Sequence, residues 1–366
     1  MNIPRKHKEV LKTIGQYADK LGYKAWVVGG AVRDFYLGRD TKDLDLTFEG
    51  SPESVANFCI RNWGGEKRKF SQFNTYRVSL ENGLKLDLVQ ARKEFYARPG
   101  ALPEVTFSTI KDDLFRRDFT ANAWAVSIAP KTFGKSYDPF GAQKAIDEGV
   151  LKILHDKSFS DDPTRLFRAI RFAGRFGWKL DRKTGLLLQD AVREEYPFVL
   201  SRERIRQEFV KILEEKNVRE IFDLLEYYEL MPFIYPGLKW SDEIAKGKSV
   251  AAKLGICACL LKDSGAEFLM SLHLPKELTH ELLGALAVYE SQKSPQTALT
   301  SLQESIIRAM CPGIKRTALE PCFIKGRDLR EMGISGRKIS ATMDHFGKLQ
   351  WAGRIGNKEQ ALSLLK

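Results

Sequence analysis

Asp43 and Asp45 flank a single leucine in Asp43-Leu44-Asp45-Leu46. Side chains alternate along a strand, so both carboxylates project from one face while Leu44 and Leu46 turn to a core. Two carboxylates on one face can hold two Mg²⁺, hard cations that take oxygen ligands. Such a pair suits in-line attack on a phosphate, where one ion activates the attacking hydroxyl and the other neutralises the leaving pyrophosphate. Asp-x-Asp alone is common in solvated loops, so its surroundings decide its meaning. Just upstream lies Gly29-Gly30-Ala31-Val32-Arg33-Asp34, after the apolar run Ala25-Trp26-Val27-Val28 and before Ala31 to Leu37. The run reads as a buried strand and the segment after it as a helix start, which places backbone N–H groups and Arg33 where phosphate can sit.

Further candidates follow along the chain. Asn82-Gly83 separates two strand-like runs, around Thr75 to Leu80 and Leu84 to Ala91, and signals a hairpin. On the second run Leu84, Leu86 and Leu88 share one face, and Asp87 lies on the other. Asp87 reads either as a third acidic group beside the metal pair or as a solvent-facing strand aspartate. From Arg92 to Phe115 two prolines, a glycine and little periodicity predict a mobile loop beside the site. In Arg116-Arg117-Asp118-Phe119-Thr120-Ala121-Asn122 the guanidinium forks suit triphosphate oxygens, and the short polar side chains suit ribose hydroxyls. The same residues read equally as a charged helix start capped by Asp118 or Thr120.

Asp161-Asp162-Pro163-Thr164-Arg165 opens a helix in which Arg165, Arg168 and Arg171 recur every three residues, opposite Leu166, Ile170 and Ala173. This predicts a basic stripe meeting the site. Asp162 and Arg165 could also read a base, the carboxylate accepting from an exocyclic amine and the guanidinium donating to a ring acceptor. Cytosine and adenine both present that order. The alternative is a surface i, i+3 ion pair.

These groups need elements to hold them. Apolar spacing predicts a helix over residues 4–22, then the strand–glycine–helix unit, the Asp-x-Asp strand, a helix from Pro52 to Trp63 and the hairpin. From about Asp161 the chain reads as helical almost throughout, with segments at Glu203 to Lys216, Val218 to Leu230, Ser249 to Lys262, Ala266 to His273, Glu277 to Glu290 and Gln296 to Ala309. A Lys- and Arg-rich helix–glycine–helix pattern spans Ile324 to Ile339, suited either to gripping a phosphate backbone or to a solvated turn.

With 366 residues the chain can bury a sizeable core. Its hydrophobic fraction of 43% includes no run of some 20 apolar residues, so a membrane span is excluded and a soluble protein expected. The basic N-terminus leads into an amphipathic pattern rather than an apolar h-region, which argues against secretion and for a cytoplasmic location. The five cysteines show no zinc spacing and read as reduced core thiols. A net charge of +12 fits a polyanionic partner, nucleic acid above all, and on charge alone fits solubility equally.

As a set the motifs resemble the class II tRNA nucleotidyltransferase and bacterial poly(A) polymerase family. They are Gly29 to Asp34 with Asp43-Leu44-Asp45, Arg116 to Ala123, Asp138-Pro139-Phe140-Gly141, Asp161 to Arg165, and Glu203-Arg204-Ile205-Arg206-Gln207-Glu208-Phe209. Ala121, Ala142 and Asp161 depart from the usual pattern, conservatively. The resemblance implies an α+β fold, a small mixed-sheet palm or head (residues 1–135) followed by an elongated all-helical neck (136–200), body (201–250) and tRNA-binding tail (251–366). It implies two Mg²⁺ on Asp43 and Asp45, while Asp87 as a third catalytic carboxylate rests on the strand alternation alone. Gly30, Arg33 and Arg117 would contact the incoming nucleotide, joined on the reading of the residues above by Gly29, Asp118 and Asn122. Asp162 and Arg165 would be an amino-acid template for C or A, supported by Arg168 and Arg171, and residues 96–108 would be a flexible lever. The implied reaction adds CMP and AMP from CTP and ATP to the tRNA 3′ end, with no membrane and no obligate protein partner. A-only addition, poly(A) synthesis and a non-catalytic RNA-binding protein are the alternatives.

Overall fold

A computed structural model describes residues 3–70 and 74–365, which fall into two compact units, Met1–Leu200 and Ser201–Lys366. In the first, α1 (Arg5–Lys20) leads into β1 (Lys24–Val28), α2 (Gly30–Tyr36), β2 (Asp43–Glu49), α3 (Glu53–Trp63), β3 (Glu66–Phe70), β4 (Thr75–Ser79) and β5 (Lys85–Gln90). After these come β6 (Arg92–Phe95), β7 (Glu104–Phe107), α4 (Ile110–Phe115), β8 (Ala125–Ser127), β9 (Ser136–Tyr137), α5 (Ala142–Asp147), β10 (Val150–Leu151), α6 (Ser158–Asp161), α7 (Thr164–Phe176), β11 (Lys179–Leu180) and α8 (Arg182–Arg193).

Seven strands form one mixed sheet in the order β3-β4-β5-β2-β1-β8-β9, with β2 and β5 parallel and the other neighbours antiparallel. Strand alternation gives its two faces different chemistry. Val27, Leu44, Leu46, Phe48, Tyr76, Val78, Leu86 and Leu88 pack with α1 and α3 residues such as Leu11, Ile14, Val55 and Cys59 into the main core. Burying side chains of this size contributes about 1.5–3 kcal/mol each, which sets the register of every strand. The opposite face carries a smaller cluster of Trp26, Val28, Ala123, Ala125, Ile110 and Leu114, and beside it stand the polar members of β2 and β5.

Two expectations are corrected here. Residues 92–115 are not one loop: β6 and β7 pair as an antiparallel ribbon with Arg92 opposite Phe107 and Phe95 opposite Glu104, and α4 follows. Inward positions on β6 are held by charges rather than apolar groups, so hydrophobic periodicity does not mark the strand. Nor is the segment after residue 135 wholly helical, since β10 and β11 make a short parallel pair and β9 completes the main sheet.

The second unit is helical, with Arg202–Glu214, Val218–Tyr227, Val250–Leu260, Gly265–Ser271, Lys276–Ser291, Ser301–Met310 and Arg337–Trp351 its longer members. Val250–Leu260 is apolar on nearly every side and mostly buried. Its Cys257 and Cys259 thiols are pushed up to about 12 by burial, so they stay protonated and inert. Residues from Cys322 to Ala361 gather a separate small core around Ile324, Leu329, Phe346 and Ile355. Buried Gln350 ties it together, donating to the Thr317 and Glu320 carbonyls and accepting from the Phe323 N–H.

Candidate active site

Asp43, Asp45, Thr47 and Glu49 share the open face of β2, and they divide the work. Glu49 accepts the Ile110 N–H at 3.0 Å, at the first turn of α4, and Thr47 donates to Asp113 at 3.4 Å. The upper half of the strand thus seats α4, and the lower half presents Asp43 and Asp45. From α4 and the turn after it come Asp113, Arg116 and Arg117. Asp113 is fully buried; burial pushes its carboxyl up, but Arg116 (2.7 Å) and Arg117 (3.3 Å) outweigh this and hold it below the usual range.

Gly29 closes the site from the other side. Its φ of +69° and ψ of −132° lie where side chains are strongly disfavoured. A Cβ there would stand 2.3 Å from Arg117 Nη1 and 3.5 Å from Asp45 Oδ2. The Arg117 guanidinium therefore lies against the glycine turn and beside Asp45. Burial raises the Asp45 carboxyl above its ordinary value; Arg117 opposes the rise, and Asp87, Asp113 and Asp43 add to it. Asp43 is exposed and Asp45 half-buried. Two hard-oxygen ligands in a crowd of like charge fit a divalent cation, which would relieve that repulsion. Among the described residues no set of three or more His, Cys, Asp or Glu side chains converges as a metal cage.

Asp87 pairs in register with Asp45, one strand away, and Arg77 grips its carboxylate through Nε at 2.7 Å and Nη2 at 2.8 Å. Arg77 was not foreseen, although the Asn82-Gly83 hairpin sets the register that places it opposite Asp87.

Arg33 turns inward. It donates to Asn122 Oδ1 at 2.6 Å and to Asp34, and stacks over Phe176 at 4.7 Å. Asn122 donates to Asp118 at 2.9 Å, and Asp118 also accepts the Phe119 N–H and the Arg168 guanidinium. Burial raises the Asp118 carboxyl, but Arg168 and Asn122 overcome it and hold it far below the normal range. Asp118 and Thr120 thus cap no helix. Gly30 opens α2, while the Gly29 N–H is already bound to the Trp124 carbonyl.

Helix α7 brings Arg165, Arg168 and Arg171, but not as an exposed stripe. Arg165 and Arg171 are buried together with Leu166 and Ile170. Arg165 donates to Ser158 Oγ at 2.8 Å and to the Arg116 carbonyl at 2.7 Å. Asp162 Oδ1 accepts from the Thr164 N–H and hydroxyl. A second cluster went unread in the sequence: Glu94 on β6 accepts from Arg92, Arg116 and Tyr96 at 2.8, 3.0 and 2.8 Å. It links the β6–β7 ribbon through Arg116 to Asp113 and Arg117. The Arg92-x-Glu94 alternation and the Asp113, Arg116, Arg117 helical spacing were its signals.

Residues 25–152 match the model of the poly A polymerase head domain, and residues 199–241 that of the probable RNA and SrmB-binding site of polymerase A. The A-adding tRNA nucleotidyltransferase of Halalkalibacterium halodurans is 43% identical over 182 residues, 50% of this chain and 42% of that protein. Its counterpart in Aquifex aeolicus is 37% identical over 221 residues, 60% of this chain and 27% of the relative, so the chain spans well under half the length of these A-adding relatives. The CCA-adding enzyme of a Geobacillus species is 33% identical over 302 residues, 77% of this chain and 69% of its own. Among solved structures, the Thermotoga maritima CCA-adding enzyme complexed with tRNA aligns with a TM-score of 0.70 at 27% identity, covering 100% of this chain and 97% of that one. A CCA-adding enzyme complexed with ATP aligns with a TM-score of 0.75 at 26% identity, covering 99% and 95%.

Proposed function

The chain belongs to the class II tRNA nucleotidyltransferase and poly(A) polymerase family, and from that premise we propose that it extends the 3′ end of tRNA without a template, adding CMP and AMP to build or repair CCA. The observation that carries the reading is the closeness of both Arg117 and Asp45 to Gly29, whose added Cβ would stand 2.3 Å from the one and 3.5 Å from the other, so that a phosphate-binding turn adjoins the acidic pair. The triphosphate lies along Gly29, Gly30 and Arg117, with its α-phosphate above Asp45. The tRNA 3′-hydroxyl oxygen forms the new bond to that phosphorus, the α–β P–O bond breaks, and pyrophosphate leaves with the electron pair while the hydroxyl proton passes to water. Two Mg²⁺ on Asp43 and Asp45 would supply activation of the hydroxyl and neutralisation of the leaving group. Asp118 and Asn122, locked by Arg33 and Arg168, meet the ribose, and Asp162 with Arg165 reads cytosine or adenine.

A second reading, addition of the terminal A alone, is favoured by the 43% and 37% identity to A-adding relatives. The two share AMP addition and differ in the use of CTP. Incubation with labelled CTP or ATP and tRNAs ending before CCA, after C and after CC separates them. Incorporation of CMP into the first two supports CCA synthesis, and AMP on the third substrate alone supports A addition. An Asp45→Ala enzyme that still transfers at a near-normal rate would overturn both.

A further inference from the structure

We infer that the open face of β3 and β4, carried by Arg68, Phe70 and Arg77, is the track along which the single-stranded 3′ end of the RNA reaches the acidic pair. This rests on the nucleotidyltransfer reading and goes beyond it by assigning the acceptor strand a place. The argument begins with register. Arg68 pairs with Arg77, Arg77 with Asp87, Asp87 with Asp45, and Asp45 with Val28, so the four charged groups stand in one row on one face of the sheet. With neighbouring strands about 4.8 Å apart, Arg77 lies about 10 Å and Arg68 about 14 Å from Asp45.

In-line displacement fixes the direction. The leaving pyrophosphate and the attacking hydroxyl must lie on opposite sides of the α-phosphate. Gly29 and Arg117 occupy the β1 side of Asp45, which leaves the β5 side for the hydroxyl, and the strand behind it must run out over β4 and β3.

That surface suits RNA. β3 is exposed along its whole length. Phe70, 46% exposed, stands two residues from Arg68 on the same face, with the Arg77 guanidinium 5.8 Å from its ring. The Arg77 side chain is 54% exposed even while it grips Asp87. An exposed aromatic ring among guanidinium groups is how single strands are held without sequence preference, bases stacking and phosphates paired. Glu66 on β3 and Lys85 on β5 share this face one row below, alongside Asp43. Lys67 and Lys69 belong to the other face, Lys67 donating to Asn57 on α3 and Lys69 lying over the Tyr76 ring.

That division supplies the control. Arg68→Ala, Phe70→Ala and, on the opposite face of the same strand, Lys67→Ala are compared with wild type by addition to a tRNA transcript ending in CC, using ATP. Arg68→Ala should raise the KM for tRNA roughly 3- to 10-fold and lower the slope of log affinity against log salt by about 0.7, one single-strand phosphate contact. Phe70→Ala should weaken tRNA roughly 5- to 160-fold, the range for one lost base stack. The KM for ATP should hold in both, and Lys67→Ala should match wild type in all three readouts. Equal behaviour of the three variants overturns the track while leaving nucleotidyl transfer intact; a wild-type chain that transfers no nucleotide overturns both.

Discussion

Gly29→Ala tests the geometry at the centre of the site. Ordinary contact with a Cβ begins near 3.4 Å, and the new methyl carbon would stand 2.3 Å from Arg117 Nη1, so the guanidinium must recede by about 1 Å. Displacements of that size cost about 10²-fold in rate when they move a group that positions the reacting phosphate. Separately, a side chain at φ +69° and ψ −132° costs about 1–3 kcal/mol, which for a unit of this size lowers the melting temperature by roughly 2–12 °C. Gly38→Ala separates the two effects: Gly38 also has positive φ, +66°, but its added Cβ meets nothing within 4 Å. It should lose a few degrees of thermal stability and keep its rate. Thermal unfolding and steady-state ATP addition on both variants decide the matter. A Gly29→Ala enzyme with wild-type kcat, or one no slower than Gly38→Ala, would refute the claim that Arg117 and the glycine turn form one phosphate site.

Two further outcomes follow from buried charge. Glu94→Gln removes the carboxylate shared by Arg92 and Arg116 and leaves Asp113 alone to face Arg116, a loss of up to about 3–5 kcal/mol for a buried pair; amide exchange in residues 92–107 should accelerate ahead of the main sheet, and unchanged exchange would show that the Glu94 cluster does not hold the ribbon. His155, 22% exposed, is held down to about 4 by burial and by Arg165. Its ordinary value is near 6.5, so between those pH values the unfolded chain binds the extra proton. Stability should be constant above about pH 6.5 and fall by up to about 3 kcal/mol as pH drops to 4. His155→Phe, which keeps the ring contact with Phe115, should flatten that decline in urea midpoints measured at pH 7.5 and 4.5, and an unflattened curve would place the acid sensitivity elsewhere.

Much of the scaffold was legible because it rests on local chemistry. Alternation along Asp43-Leu44-Asp45-Leu46 assigns each side chain to a face with no knowledge of the partner strands, and Asn82-Gly83 sets the register that brings Arg77 opposite Asp87. The helices of the second unit follow from apolar spacing to within a few residues, except that the last of those expected begins at Ser301 rather than Gln296. Reading failed where charge points inward. Arg92 and Glu94 occupy core-facing positions, and so do Arg165 and Arg171 on α7, whose spacing predicts a basic stripe meeting the site.

The sequence by itself determined which face of β2 is acidic and where the backbone needs a glycine. Only the tertiary structure decided that Arg33 reaches Asn122 across 89 residues and that Arg168 reaches Asp118 across 50. It likewise decided that Arg117 and Asp45 both come up against Gly29. The reason is electrostatic: a charge is tolerated inside a protein only when its counter-charge arrives with it, and that partner comes from wherever the fold brings the chain back, at a distance no local pattern records.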